Sequence, residues 1–224
     1  MGAPAGPAGT ALSCHGDYQQ QSGKPRLRLA AAYSSVGTEV RFSDDFEPTL
    51  RRRSAGLALE YQLLDWMSLR ASAGLSLHGD IARSGERYQL TAGPFASVGA
   101  NFTVLDGRQS LPFLVLGASL AASYAETRPL AARDADAVGL SALDLRFSAV
   151  VGKLLLNAIG PYLAARAFGG PIWWQHHRQA VVGTDLYHYQ FGAGVLVTSR
   201  ALDVFFEIAP LGERAGTFGL ASSF

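Results

Sequence analysis

The stretch 88–124, YQLTAGPFASVGANFTVLDGRQSLPFLVLGASLAASY, decides the fold of this chain. On both sides of the segment 106–108, apolar side chains occupy every second position, and small or polar side chains occupy most of the positions between them. A period of two residues is typical of β-strands, whose successive side chains point to opposite faces of a sheet. The stretch therefore predicts two long antiparallel strands joined by a tight turn at Asp106, Gly107 and Arg108.

The second of these strands differs from a strand of a soluble sandwich. Its large face carries Leu114, Leu116 and Leu120, whereas its other face carries mostly glycine, serine and alanine, which cannot fill a core. In a sandwich the large face is buried against a second sheet. In a transmembrane barrel the large face contacts lipid, and the small or polar face lines the interior. The pattern therefore favours an all-β transmembrane barrel.

The composition agrees with membrane insertion by strands. Charged residues make up 17% of the 224-residue chain, well below the roughly 25% of soluble domains, and the mean hydropathy is +0.12. A membrane-spanning helix needs about 20 predominantly apolar residues, which no stretch supplies, whereas a strand needs only about 9 to 11. Because lipid tolerates no open sheet edge, the strands are expected to close into a barrel. The net charge of +1 offers no electrostatic footprint for nucleic acid.

The two-residue period recurs along the chain and predicts ten antiparallel strands. They are expected at 26–35, 54–63, 67–77, 88–104, 114–124, 140–154, 161–168, 186–198, 202–208 and in a last strand that ends at Phe224. Short turns near residues 65, 107, 157 and 200 alternate with longer polar loops at about 36–53, 78–87, 125–139, 169–185 and 210–216. Such alternation is typical of up-and-down barrels of the bacterial outer membrane. Eight strands remain possible, because the last pair has the weakest pattern.

The segment 1–25 is predicted to be a flexible lead-in to a single barrel domain at 26–224. It is rich in glycine, proline, alanine, serine and glutamine, and no cationic segment followed by an apolar one marks an intact secretory signal. The one cysteine, Cys14, excludes an intramolecular disulfide, and whether it carries a lipid stays open.

The C-terminus places Phe218, Leu220 and Phe224 on one strand face, with Ser222 interrupting the apolar series. In this feature, and in its pattern over 26–224, the chain resembles the small outer-membrane β-barrel proteins of Gram-negative bacteria, the OmpA- and OmpW-like superfamily in a broad sense. The resemblance implies a location in the cell outer membrane, contact with outer-membrane lipid and lipopolysaccharide, and assembly by the barrel insertion machinery, which reads the terminal aromatic residue. It implies no single activity, because the superfamily includes anchors, adhesins, narrow pores and a few lipid-modifying enzymes.

The inward positions carry a balanced set of cations and anions. They are Arg28, Glu60, Arg70, Asp144, Arg146, Arg166, Asp203 and Glu207. Charges in a narrow interior are tolerated when they are paired, because unpaired burial is costly. The set predicts a salt-bridge network that fills the lumen, with a polar path for small solutes as the alternative. Acid–base catalysis is not expected, because nearby arginines keep carboxylates ionised.

Parity predicts how the second and third strands pair. Outward residues must face outward residues, since a slip of one residue turns every side chain of a strand to the other face. The outward sets within 57–63 and 67–77 are both odd-numbered, so the shortest consistent turn is 64–66. This register pairs Leu63 with Met67, Tyr61 with Leu69, and Glu60 with Arg70. The last two are expected within ion-pair reach in the lumen.

Other side chains indicate roles at the membrane surface. Five aromatic residues are predicted to lie at the membrane interfaces: Tyr61, Trp66, Trp173, Trp174 and Tyr187. The run Arg51, Arg52 and Arg53 is expected in a loop. There it either binds lipopolysaccharide phosphates or is solvated charge that balances Asp44 and Asp45.

These observations predict a non-enzymatic outer-membrane barrel, either structural or a narrow pore for small solutes. A lipid-modifying hydrolase is the rival from another class; it would use a histidine with a nearby serine. The candidate histidines are His78, His176, His177 and His188. An adhesin or receptor acting through the outer loops is a third possibility. No cofactor or metal site is predicted, because the adjacent His176 and His177 point in different directions and lack a further ligand.

Overall fold

The computed structural model describes residues 27–43, 47–83, 85–107, 111–131, 136–156, 158–176, 179–199 and 202–224. The predicted lead-in, with Cys14, lies outside the described residues, as do Asp44, Asp45 and His177. Within the described ranges no helix is long and apolar enough to cross a membrane.

Antiparallel strands account for nearly all of the described chain. In chain order they are β1 (Leu27–Phe42), β2 (Thr49–Leu64), β3 (Met67–Arg83), β4 (Glu86–Leu90), β5 (Gly93–Asp106), β6 (Phe113–Pro129), β7 (Val138–Gly152), β8 (Ile159–Gly169), β9 (Ile172–His176), β10 (Gln179–Asp185), β11 (Tyr189–Thr198), β12 (Asp203–Gly212) and β13 (Arg214–Ser223). Short interruptions at 91–92, 170–171 and 186–188 separate β4 from β5, β8 from β9 and β10 from β11. The thirteen segments therefore follow ten strand paths.

The sheet closes into a ring of ten strands. The ring runs β1, β2, β3, β5, β6, β7, β8, β11, β12 and β13. It closes where β13 pairs with β1, from Arg28 opposite Ser223 to Gly37 opposite Arg214. The predicted all-β antiparallel up-and-down barrel is confirmed.

The barrel closes a second time with eight strands. The β12–β13 hairpin turns back at Glu213, below the ends of its neighbours, and β10 then pairs directly with β1, with Val40 opposite Asp185. This second ring runs β1, β2, β3, β4, β6, β7, β9 and β10. The barrel therefore narrows from ten strands to eight along its axis.

The predicted outer loops are wrong in length. Strands run through most of them, and the connections at that end are reduced to 43–48, 84–85, 130–137, 177–178 and residue 213. The connections at the other end, 65–66, 107–112, 153–158 and 199–202, are of similar length. Most of the charged residues in the predicted loops lie instead on the outer face of strands whose inner face is largely apolar.

Along the barrel axis the polar and apolar faces of the strands change places, and this exchange divides the barrel wall into two zones. In β1, outward Leu27, Leu29 and Tyr33 are exposed apolar residues, whereas further along outward Glu39 and Arg41 are charged. We call the apolar-walled zone the belt; it comprises 27–33, 55–63, 67–77, 94–104, 114–124, 143–151, 159–167, 187–197, 204–211 and 218–224. We call the other zone the collar; it comprises 35–42, 49–53, 78–83, 86–90, 125–129, 138–142, 172–176 and 179–185. The belt stretches have 7 to 11 residues, close to the roughly 9 to 11 that a tilted strand needs to cross a bilayer.

The β2–β3 register bears out most of the parity prediction. Glu60 lies opposite Arg70 and Tyr61 opposite Leu69, as expected. The predicted pairing of Leu63 with Met67 is wrong, because Leu64 takes that place and a bulge lies between Gln62 and Leu64. A bulge sets two residues of one strand against one of the other. A two-residue turn alone would set outward residues of β2 opposite inward residues of β3. The bulge shifts the register by one residue, so that outward residues again face outward residues.

Replacing Leu145 in the belt with arginine is expected to lower the free energy of unfolding in lipid vesicles by about 2–4 kcal/mol. The Leu145 side chain is 47% exposed on the outer wall, where an arginine would have to enter hydrocarbon. The matched control is Val182→Arg in the collar, which is 46% exposed and is expected to be nearly neutral. Urea titration of the folded fraction on heat-modifiable gels gives both values, and equal losses would contradict the division into belt and collar.

Candidate functional site in the barrel interior

An apolar cluster, which we call the collar core, lies in the interior of the collar. Its members are buried residues: Val40, Phe42, Leu50, Ile81, Tyr88, Leu90, Ala125, Leu140, Ala142, Ile172, Trp174 and Val181. All eight strands of the collar ring contribute at least one of them. An eight-stranded barrel is just narrow enough for its own side chains to fill it. The collar core therefore brings side chains from all eight strands together inside the collar.

Trp174 is the largest side chain of the collar core, and its position contradicts the prediction that it lies at a membrane interface. It is 1% exposed; its ring centroid lies 5.4 Å from that of Phe42 and 5.1 Å from that of Tyr88. The Trp174 indole Nε1 donates a hydrogen bond of 2.9 Å to Thr127 Oγ1. Trp174 is thus not a membrane-interface aromatic, because β9 runs through the predicted loop and turns alternate side chains inward.

The other predicted interface aromatics lie on the outer wall. Tyr61, Trp66, Trp173 and Tyr187 are all exposed, and Trp66 stacks on Phe102 with ring centroids 6.1 Å apart. Their position relative to a bilayer stays a prediction.

Below the collar core, polar side chains from four strands and one turn form what we call the central network. Its members are Asp144, Arg146, Arg166, Gln190, Glu207 and Glu213. Arg166 donates to both carboxylate oxygens of Glu207, at 2.5 and 2.8 Å, and to Gln190 Oε1 at 2.6 Å. Every member is less than 9% exposed. The network therefore connects the neighbouring strands β7, β8, β11 and β12 on their inner face.

The β12–β13 turn inserts its glutamate into this network. Glu213 is 1% exposed and accepts hydrogen bonds from Arg146 at 3.2 Å and from the Gln190 side-chain amide at 3.3 Å. Its backbone N–H donates to the Tyr189 carbonyl. Gly212 precedes it with a φ of +76°, and a Cβ there would lie 1.9 Å from the Tyr189 oxygen. Only glycine fits this close approach, which directs Glu213 inward.

Two more charged residues extend the polar interior into the collar. Arg52 is 4% exposed and its guanidinium lies 3.5 Å from Ser123 Oγ, while Asp185 accepts a hydrogen bond from Thr38 at 3.3 Å. The prediction of a solvated loop is wrong for the arginine run, because Arg51, Arg52 and Arg53 lie in β2. Arg52 points inward and its two neighbours point outward. The alternation of 50, 52 and 54 against 51 and 53 was the signal in the sequence that could have found Arg52.

A second charged group lies near the short-turn end of the belt. Arg28 forms an ion pair with Asp203, which also accepts a hydrogen bond from Thr198. Glu60 accepts hydrogen bonds from Ser68 and from Asn101, the latter at 3.1 Å. Arg70 lies directly across the ladder from Glu60, as parity predicted, and their ion pair stays a prediction.

The structure thus places all eight predicted charges inside the barrel and divides them between two groups. Arg28, Glu60, Arg70 and Asp203 lie in the lower group; Asp144, Arg146, Arg166 and Glu207 lie in the central network. Sequence reasoning missed Glu213, Gln190, Asp185 and Arg52. A second apolar cluster, which includes Phe113, Val150, Tyr162, Leu196 and Phe205, lies in the belt interior.

The histidines of the rival hydrolase hypothesis do not converge on a serine where the structure describes them. His78 Nε2 lies 3.5 Å from an Arg53 guanidinium nitrogen. Across the described chain, neither His78 nor His188 has a serine hydroxyl as hydrogen-bond partner. The side chains of His176 and His177 are outside the description.

Comparison with solved structures agrees with the barrel architecture. The outer membrane protease OmpT from Escherichia coli is 10% identical, with 93% of this chain and 100% of that chain covered at a TM-score of 0.52. The translocator domain of the autotransporter NalP from Neisseria meningitidis is 11% identical, with 92% and 91% covered at a TM-score of 0.49. No protein-family model matches the sequence, and no curated protein matches it. The chain has the fold of bacterial outer-membrane β-barrel proteins.

Proposed function

We propose that this chain is an integral protein of the bacterial outer membrane with a structural, non-enzymatic role, in which the belt lies in the bilayer and the collar stands outside it. The apolar outer wall of the belt suits lipid, and the largely polar outer wall of the collar suits water. The main observation in support of a structural role is the collar core, to which all eight collar strands contribute. A filled interior favours a plugged barrel over a narrow pore.

The proposal includes two kinds of partner. Outer-membrane lipid and lipopolysaccharide would surround the belt, whose exposed residues include Leu57, Val98 and Leu163. The barrel insertion machinery would read the C-terminal strand, where Phe218 and Phe224 are 48% and 69% exposed on the outer wall. These partners rest on the chemistry of the exposed surface.

Planar-bilayer recording tests the plugged barrel against the narrow pore. Folded protein, verified by heat-modifiable migration on a detergent gel, is expected to insert and to give no stepwise conductance, because the collar core blocks the axis. A known porin inserted under the same conditions is the positive control. Reproducible conductance steps from the folded fraction would contradict the plugged barrel. They would still be consistent with the proposed membrane location.

A further inference from the structure

The outer wall carries a groove where the barrel narrows from ten strands to eight. It encloses about 680 Å³ beside the end of the β12–β13 hairpin, between β1, β2 and the β10–β11 connection. We call it the seam groove; the outward residues that line it include Gly37, Arg51, Tyr189, Ile208, Leu211 and Arg214. Because the hairpin stops there, the groove lies at the boundary of belt and collar.

Small residues form the floor of the seam groove. Gly37 lies opposite Arg51 on one side and opposite Arg214 on the other, and Ser35 lies opposite Gly216. A Cβ built on Gly37 would touch only Arg51 Cγ, at 4.0 Å, and one on Gly216 would meet nothing within 4 Å. The space between the two arginines is therefore open.

The two arginines make the groove a site for a phosphate group. Directly opposed strand residues have Cα atoms about 4.5–5.5 Å apart, so Arg51 and Arg214 flank Gly37 at about 10 Å from each other. Two flexible guanidinium groups at that spacing can close on one phosphate with paired, charge-assisted hydrogen bonds. Neither arginine forms an ion pair with a described residue.

Two acidic residues lie near these arginines. Glu39 lines the same groove, and Asp80 lies opposite Arg51 in β3. Within the groove lining itself the two arginines outnumber the one carboxylate. Among the described residues neither carboxylate forms an ion pair with Arg51 or Arg214, so both guanidinium groups can bind a ligand.

The remaining wall is apolar and continues into the belt. Tyr187 and Tyr189 are exposed, with ring centroids 6.1 Å apart, and Ile208 and Leu211 are 50% and 60% exposed. Below them the outer wall is the lipid-facing surface of the belt. A ligand that matches the whole groove has an anionic head and an apolar tail.

We propose that the seam groove binds one phosphorylated bilayer lipid, with its phosphate between Arg51 and Arg214 and its acyl chain along Ile208 and Leu211. The site rests on the proposed membrane location, because the lipid enters from the surrounding bilayer. Tyrosine rings at this level suit the headgroup region, where amphipathic aromatic side chains are favoured.

Native mass spectrometry of the folded barrel in detergent, titrated with dioleoyl phosphatidic acid, tests the site. One retained lipid is expected, and Arg51→Gln with Arg214→Gln should weaken its binding by about tenfold or more, because charge-assisted hydrogen bonds are lost. The matched control pair is Arg87→Gln with Arg128→Gln, two exposed collar arginines outside the groove, which should change binding less than about twofold. Gly37→Leu should also reduce binding, because it fills the floor without changing charge.

Two competitor arms separate the lipid from other sources of the same chemistry. Diacylglycerol, which lacks the phosphate, and millimolar inorganic phosphate, which lacks the chain, are both expected to leave the bound phosphatidic acid in place. Equal loss in the groove and control pairs, or displacement by inorganic phosphate, would overturn the proposal. Because binding is read on the folded barrel in detergent, a failure here leaves the membrane location to be judged by the Leu145→Arg measurement.

Discussion

Replacing Trp174 with alanine is expected to lower the free energy of unfolding by about 3–5 kcal/mol, the usual cost of removing a large buried aromatic side chain. Trp174 is the largest fully buried side chain of the described chain and packs against Phe42 and Tyr88 at the centre of the collar core. Its loss would also leave Thr127, which is 0% exposed, without the indole donor. Eight strands cannot collapse into the resulting space without breaking their ladders.

The neighbouring tryptophan supplies the control. Trp173 has the same chemistry and is 45% exposed on the outer wall of the same strand, so Trp173→Ala is expected to cost less than about 1 kcal/mol. The folded fraction is followed by far-ultraviolet circular dichroism in urea with the protein in lipid vesicles, so that neither variant loses its probe. Similar costs for the two variants would show that the collar core does not support the barrel.

Trp173 and Trp174 lie in the collar, which could not be predicted from the sequence as the belt could. The belt was predictable, because Leu143, Leu145 and Phe147 alternate with Asp144 and Arg146 in a way that only a lipid-facing barrel explains. The collar was not, because its outward charges look like those of loops. The period of two residues is still present in the collar, but the polar and apolar faces have changed places. A prediction that assumes an outward apolar face for every strand cannot detect such a strand.

Other parts of the interior depend on contacts that are distant in sequence. Glu213 is far along the chain from Arg146, and nothing local distinguishes a turn glutamate that enters the lumen from one in solvent. The β12–β13 hairpin ends before its neighbours, and β10 therefore pairs with β1 above the turn. This closure above the turn is what places Glu213 in the interior. By contrast, the Glu60–Arg70 register depended on parity and on one adjacent turn, and sequence reasoning predicted it.

Replacing Arg166 with methionine is expected to destabilise the barrel by about 3–5 kcal/mol, because removing one partner leaves a buried charge uncompensated. Arg166 binds both oxygens of Glu207 and the side-chain oxygen of Gln190, and the arginine and glutamate side chains are only 4% and 9% exposed. Glu207→Gln alone should also be costly, since it removes the carboxylate to which the buried guanidinium donates. The double variant should recover part of the loss, because neither charge then remains.

A matched cycle on the collar surface calibrates this result. Arg41 and Glu47 form an ion pair whose side chains are 55% and 44% exposed, and such exposed pairs are worth about 0–1 kcal/mol. Urea unfolding in vesicles of Arg41→Met, Glu47→Gln and their double variant is therefore expected to show almost no coupling, whereas the Arg166 and Glu207 cycle should show more than about 1 kcal/mol. Equal coupling in the two cycles would mean that water reaches Arg166 as freely as it reaches Arg41. A plugged interior excludes that access, so the same result would also count against the closed lumen.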